Sequence, residues 1–595
     1  MSTSTHSKRP NFSFEKDNNW KWASLGVAVL TFLLFKSALN FQFTNWDDEG
    51  YILLNPLLKL PFPSFYEHFT TYLMGNYHPL TTLSLHLDEI LGKGKPMNFH
   101  LTSILFHSLN SFLIVWWIRP YVKSGWVAVG IGLLFSFHPQ RVESVAWISE
   151  RKDVLYTFFY LLGILSWRLQ KSNPWAIIWV GLAFIAALLS KGMAVTFPVL
   201  LAFEAYRDGS WKSIRTKLYL ITFVLIAIGF GVIAVLAQQE TESIKVSQTF
   251  PIYLRPVYAL YALAQYFRQF WIPTGLSNFY PYPDSGDIFL YVVALGMLVF
   301  LGAVGLYFKK WSAEGLFLWV ILILPVLQLL PVGEALWSDR YMYLAGIGLL
   351  LWVSQRIEKL PYRIGLPILG IWILVSGGLT WQRLPVWKTS LSLWNNMISE
   401  YPEKYFVAYN NRAIALQAAG KKQEALLDYT HAIDLFPIYI DAYYNRGCLK
   451  SDLGDFINAE KDFSRAIDLG GEKAVFWYNR GNVRAQTGKI KEAILDFKKA
   501  LEINPTYFEA CTNLGNAQAM TGDLSGAVNS FTLAIELDPL NAQAFHNRGL
   551  ALNQLGDKQK AIQDMEQAIQ IHLKKNDTIS ANNSKNNLIF IQQSN

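Results

Sequence analysis

The chain has 595 residues, too many for one ordinary domain, and combines 52% hydrophobic with only 16% charged residues. With 21 Trp, 29 Tyr and 39 Phe this is the balance of a membrane protein, yet a mean hydropathy of +0.20 requires a large polar part as well. The net charge of +8 would suggest nucleic acid in a soluble protein. Here most of the basic residues of the first half fall in short loops between apolar runs, where they set topology, and no nucleic-acid partner is expected.

Residues 1–21 are polar and basic and read as a cytoplasmic segment. The apolar run Trp22 to Leu39 is too long for a signal-peptide core and is read as a retained anchor. Just beyond it comes Asn45-Trp46-Asp47-Asp48-Glu49-Gly50-Tyr51. An Asp at the centre of a membrane helix costs about +2.5 to +3.5 kcal/mol on insertion scales, so this acidic run marks a water-exposed surface. Further candidate spans follow near 99–118, 126–137, 154–170, 175–189, 192–206, 217–237, 288–308, 314–331, 341–355 and 364–380. They make eleven with the first.

Lys and Arg clusters at Lys8/Arg9, Arg119/Lys123, Arg168/Lys171, Arg207 to Lys217, Lys309/Lys310 and Arg356 to Arg363 all lie on the cytoplasmic side if the N-terminus does. The stretch 253–272 must then not cross, and reads as a re-entrant or interfacial helix. This multi-pass orientation, expected for a bacterial inner membrane, puts the residues after 381 outside. It also puts there the loop 42–98, His138 to Asp153, Ser190-Lys191, Gln238 to Phe250 and Val332 to Arg340. Arg151, Lys152, Lys191 and Arg340 thus break the positive-inside preference, and an anionic ligand is one reason for that.

After residue 381 the chain repeats at a fixed step. Asn411, Asn445, Asn479, Asn513 and Asn547 are each 34 apart, as are Gly420, Gly454, Gly488, Gly522 and Gly556, and Ala425, Ala459, Ala493, Ala527 and Ala561. An aromatic residue or Met follows each Ala by four. This is the tetratricopeptide period, and five such helical hairpins form a solenoid with a concave groove. Residues 382–404 read as a half-repeat joining the last span to repeats at 405–575, and 576–595 as a disordered tail. The five asparagines are expected to line the groove as a ladder, whose amides can both donate to and accept from the backbone of an extended peptide. Asparagine serving only helix packing, or Arg412, Arg446, Arg480 and Arg548 dominating the groove, is the alternative. Cys448 and Cys511 have no metal-ligand spacing.

Transfer of a sugar to a hydroxyl needs a carboxylate base and positive charge or a metal for the departing phosphate. Asp47 and Asp48 can supply the base or hold a divalent metal. Arg151, Lys152, Lys191 and Arg340 can meet the phosphate, with His78, His138, Glu143, Asp153 and Asp339 as further polar groups of the outer face. The bland reading makes all of these interfacial anchors and ion pairs. No glycine-rich nucleotide loop occurs.

Asn45-Trp46-Asp47-Asp48, Asn76-Tyr77-His78-Pro79-Leu80-Thr81, the block His138 to Asp153, Leu189-Ser190-Lys191-Gly192 and Asp339-Arg340-Tyr341-Met342-Tyr343, with the repeats, resemble the transmembrane-and-tetratricopeptide O-mannosyltransferases and their bacterial relatives among the class C glycosyltransferases. The resemblance covers nearly the whole chain. It implies an all-α polytopic membrane domain at 22–381 and a polyprenyl-phosphate-linked sugar donor. The acceptor it implies is a hydroxyl, a Ser or Thr of a protein held in the groove. It also implies inverting transfer outside the cytoplasm, with the base in the acidic pair, Asp47 first. Glu49 lengthens that pair and blurs its register. The rivals are a non-enzymatic scaffold for envelope assembly and a polymerase or ligase of lipid-linked oligosaccharides.

Overall fold

The computed structural model describes residues 18–60, 64–170, 172–240, 251–308, 313–329 and 335–593. Nearly all of the basic N-terminal segment, Lys309/Lys310, and residues 241–250 and 332–334 of the expected outer loops lie outside these residues. The described chain is all-α, with two isolated bridges, Leu73–Asn76 and Tyr280–Trp337, as its only β pairing. It divides into two units, Met1–Pro402 and Glu403–Asn595.

In the first unit a helix occupies each expected span. Among the described residues five helices are long and apolar enough to cross a membrane: Asn19–Asn40, Pro96–Tyr121, Ile214–Gln239, Ile288–Leu306 and Tyr362–Trp387. The count of eleven is therefore not reached on length and composition. Gly125–Phe137 has 13 residues, about 20 Å of helix at 1.5 Å per residue, short of a bilayer core of about 30 Å. Arg151–Leu169 opens on three charged residues. The stretch expected to be re-entrant is the helix Arg255–Trp271, which buries Tyr258, Ala259, Ala262, Leu263, Tyr266 and Gln269 on one face, the three-and-four spacing of an amphipathic helix.

The expected loop 42–98 contains an unforeseen helix, Pro79–Gly92. Pro79 suits its first position, where no N–H is needed, and Lys93, at φ +51°, ends it in the left-handed region. The helix Ser390–Glu400, in the stretch expected to join the last span to the repeats, falls within the first unit. Its Trp394 lies 5.6 Å from Trp46, and its Ser390 hydroxyl accepts the Asn45 N–H at 2.9 Å.

The second unit is five helical hairpins, from Phe406–Ala418 with Lys422–Leu435 to Ala542–Gln554 with Lys558–Lys574. Each hairpin turns at one of the five periodic glycines, all at φ between +78° and +88°, a region open mainly to glycine. The five periodic alanines are fully buried beneath Tyr429, Phe463, Phe497, Phe531 and Met565. The tail expected to be disordered is a helix, Thr578–Gln593. Leu588 and Ile591 pack with Leu552, Ala561 and Met565, so it covers the open apolar face of the last hairpin, as a terminal repeat requires.

Candidate active site

The five blocks singled out in the first unit are joined by hydrogen bonds and ion pairs. Asp48 is buried, and its carboxylate is saturated. Oδ2 accepts the Thr44 N–H and hydroxyl at 2.8 and 2.9 Å, and Oδ1 accepts the Ser149 N–H and hydroxyl at 3.1 and 2.5 Å. This fastens the acidic turn to the block His138 to Asp153. Asn76 donates to the Tyr51 hydroxyl at 3.2 Å, and Thr81 to the Ser190 carbonyl at 2.9 Å.

Asp47, one residue earlier, is half-buried and makes no side-chain hydrogen bond to the described residues. Burial pushes its carboxyl above the usual range, while Lys152 pulls it down, Glu150 pushes it up and Arg340 pulls it down again. Glu49, next in the run, is exposed. Beside the pair, Trp46 stacks on Trp147 at 4.5 Å, and Trp147 on Trp387 at 5.3 Å. The Arg340 guanidinium sits 5.6 Å from the Trp147 ring.

Three cations gather here. Glu150, a residue that sequence reasoning passed over, is their hub: Lys152 Nζ lies 3.1 Å and Arg340 Nε 3.4 Å from Oε1, and Lys191 Nζ lies 3.3 Å from Oε2. Burial works against the Glu150 carboxylate, yet Lys152, Lys191 and Arg340 together hold it well below the carboxylate range. Lys191 also pairs with Asp153 at 2.6 Å, and Arg340 with Glu143 at 2.5 Å. Lys152 lies 4.9 Å from the centre of the Tyr51 ring. His78 is an electrostatic neighbour of this cluster. Burial, then Lys152 and Lys191, lowers it to about 3, so it is neutral.

Arg151 is not part of the gathering. It is fully buried, pairs with Asp88 at 2.7 Å, and donates to Ser103 at 2.9 Å and to the Phe99 carbonyl at 2.5 Å. Neighbours on a helix point about 100° apart at 3.6 residues per turn, and here Arg151 turns to Asp88 while Lys152 turns to Glu150. His138 is likewise engaged elsewhere, bonded to the Phe270 carbonyl at 2.9 Å and to the Gln140 N–H at 3.3 Å. Asp339 accepts from the Tyr280 hydroxyl at 2.9 Å. A metal does not fit at Asp47/Asp48: both Asp48 oxygens are taken, and among the described residues no three His, Cys, Asp or Glu side chains gather to ligate one.

In the second unit the asparagines link neighbouring repeats. Asn445 donates to Asn410 at 3.0 Å, Asn479 to the Tyr444 hydroxyl at 3.0 Å, Asn513 to Asn482 at 2.7 Å and Asn547 to Asn516 at 2.7 Å. Asn411 accepts from Asn410 at 3.1 Å. Asn482, Asn513, Asn516, Ser451, Gln486 and Met520 line a groove of about 490 Å³. The arginines beside the ladder are held by aspartates 16 residues on, in the pairs Arg412–Asp428, Arg446–Asp462, Arg480–Asp496 and Arg548–Asp564 at 2.7–2.8 Å. The aspartates follow the same 34-residue step, a signal present in the sequence and not used. In the fourth repeat the corresponding residues are Leu514 and Ser530, with Cys511 in place of the ring on which each arginine lies.

Tetratricopeptide-repeat profiles match residues 440–469, 474–507, 508–539 and 530–563. The chain is 30% identical over 203 residues to Protein O-mannosyl-transferase Tmtc1 of Drosophila melanogaster, covering 32% of this chain and 23% of that one. It is 25% identical over 445 residues to Protein O-mannosyl-transferase F38B6.6 of Caenorhabditis elegans, covering 69% and 62%. Among solved structures, a tetratricopeptide-repeat protein with an unusual peptide-binding site, YrrB, matches at 27% identity and a TM-score of 0.30, over 32% of this chain and 97% of that one. The match to Tmtc1 thus spans about a quarter of that relative's length. By these matches the chain is similar to the transmembrane-and-tetratricopeptide O-mannosyltransferases.

Proposed function

We propose that the first unit transfers a sugar from a polyprenyl-phosphate-linked donor to a hydroxyl of an acceptor protein, with inversion and outside the cytoplasm, and that the repeats hold the acceptor. The observation that carries this reading is the contrast within the acidic pair. Asp48 is saturated and positions the turn, whereas the Asp47 carboxylate has no hydrogen-bond partner among the described residues and lies in the field of Lys152 and Arg340. A carboxylate kept free, partly desolvated and raised toward the working pH is a better general base.

In this account Asp47 takes the proton of a Ser or Thr hydroxyl as its oxygen attacks the anomeric carbon. The bond from that carbon to the phosphate oxygen breaks, and the electron pair leaves with the lipid phosphate. Lys152, Lys191 and Arg340 stabilise the departing charge, which a site shielded from water makes more effective. They are held ready on Glu150, whose carboxylate the phosphate displaces as their common partner. Arg151, through Asp88, positions the start of the Arg151–Leu169 helix and so aims Lys152. In the groove an amide N–H of each of Asn445, Asn479, Asn513 and Asn547 is spent on the preceding repeat, and the carbonyl oxygens of Asn445, Asn479 and Asn513 accept from the backbone of an extended acceptor.

The test compares cell-surface and secreted glycoproteins by mass spectrometry with and without the intact chain. Hexose-modified Ser or Thr residues that depend on the chain support the proposal. Identical glycoproteins in both would return the unit to a scaffold.

A further inference from the structure

A general base must meet its proton at about 2.6–3.2 Å, yet no hydrogen bond from the described residues aims the Asp47 carboxylate. Its aim is left to the residues on either side. Asp48 is fixed by Thr44 and Ser149. The preceding side is fixed from the far end of the unit, by the helix Ser390–Glu400.

That helix starts on a capping box. The Thr389 hydroxyl accepts the Ser392 N–H at 3.1 Å, and the Ser392 hydroxyl accepts the Thr389 N–H at 2.9 Å, which satisfies donors that a first turn otherwise leaves unpaired. Ser390 and Trp394, four apart, lie on one face of the helix, and both grip Asn45. The Ser390 hydroxyl accepts the Asn45 N–H at 2.9 Å, and Trp394 Nε1 donates to Asn45 Oδ1 at 2.7 Å. The indole has that one donor and no other, and Trp394 is fully buried. The Lys388 carbonyl also accepts the Gln42 N–H at 3.0 Å. Trp46, the next residue, lies between Trp394 at 5.6 Å and Trp147 at 4.5 Å.

Within Asn45 to Asp48, the Asp47 side chain is then the one that neither a hydrogen bond nor a ring contact to the described residues holds. We infer that Asn45 and Trp394 are positioning residues for the transfer. Their bond on one side, and the Asp48 anchorage on the other, fix the backbone between them so that the free Asp47 carboxylate meets the acceptor hydroxyl. A misplacement of about 1 Å can cost about 10²-fold in rate, so a bond made 349 positions along the chain bears directly on turnover. The inference rests on Asp47 acting as the base.

The test uses the full chain in lipid nanodiscs, with Trp394→Phe, which keeps a ring and removes the N–H, and Asn45→Ala, which removes the acceptor. Each is made alone and on top of Asp47→Asn. Single-turnover transfer of radiolabelled mannose from polyprenyl-phosphate mannose to an acceptor protein is measured beside binding of bare polyprenyl phosphate. Each single variant should transfer about 10- to 10²-fold more slowly and bind polyprenyl phosphate like the parent. Added to Asp47→Asn, neither should slow transfer further, because there is no longer a base to aim. Parent rates in both variants would overturn the inference. So would further slowing on top of Asp47→Asn, or weakened binding of polyprenyl phosphate, since either reports general disruption. Should Trp394→Phe unfold below the parent midpoint, Asn45→Ala, at a half-buried residue, decides alone. An unaltered chain that transfers nothing, or Asp47→Asn at the parent rate, removes the base reading and the inference with it. Slow Asp47→Asn beside parent rates in the other two overturns the inference only.

Discussion

Asp48 accepts four hydrogen bonds, and an asparagine in its place can accept at only one of its two side-chain heavy atoms. Asp48→Asn should therefore lower the thermal unfolding midpoint of the first unit, at about 1–3 kcal/mol for each donor left unmade. Asp47→Asn should not, because it removes no bond. An unchanged midpoint for Asp48→Asn in detergent-solubilised protein would contradict the positioning role. Arg151 and Lys152 should separate in the same way. Lys152→Ala should raise KM for the donor, whereas Arg151→Ala strands the buried Asp88 carboxylate and should cost about 3–5 kcal/mol of stability. Equal donor kinetics for Lys152→Ala and the parent would remove Lys152 from the phosphate site. The sequence made both pairs visible as adjacent charges outside the apolar runs. It could not assign the members, because which of two adjacent side chains turns inward depends on contacts with residues a hundred positions away, as between Asp48 and Ser149.

The repeat hairpins were the most legible elements, since glycine turns, small residues and rings recur at a constant step. What the step did not show is that asparagine and arginine serve different joints. The asparagine N–H groups connect one repeat to the next, and each bidentate Arg–Asp pair connects the two helices of one hairpin. Arg548→Ala, which leaves the buried Asp564 without its cation, should destabilise the solenoid by about 3 kcal/mol. The single Asn479→Ala should cost about 1 kcal/mol. The fourth hairpin, with Cys511, Leu514 and Ser530 in place of ring, arginine and aspartate, should exchange its amide hydrogens fastest among the repeats. Uniform exchange across the five hairpins would show that the clamp contributes nothing to local stability. The Pro79–Gly92 helix was missed for the opposite reason. Its buried positions include Thr81, Thr82, His86 and Asp88, so hydropathy alone does not announce it. The terminal helix was missed because its composition is polar, and only Leu588 and Ile591 reveal the face that covers the last repeat.

For the whole molecule, the division into an apolar and a repeat-bearing part follows from composition, and the all-α class from the periods of both. The span count does not, because short apolar helices such as Gly125–Phe137 can be read from hydropathy as crossings that their length does not by itself support. Sidedness rests on the Lys and Arg clusters. With the N-terminus cytoplasmic, a reporter after Lys575 should be shielded from cytoplasmic reagents in intact cells, and labelling from the cytoplasm would separate the repeats from the acidic turn. The most direct measurement of the central claim is single-turnover transfer of radiolabelled sugar from polyprenyl-phosphate mannose to an unmodified acceptor protein, by the full chain in nanodiscs. The unaltered chain should label acceptor hydroxyls. Asp47→Asn, folded to the same unfolding midpoint, should do so 10²–10⁴-fold more slowly, the usual cost of losing a general base. Transfer by Asp47→Asn at the parent rate would contradict the account.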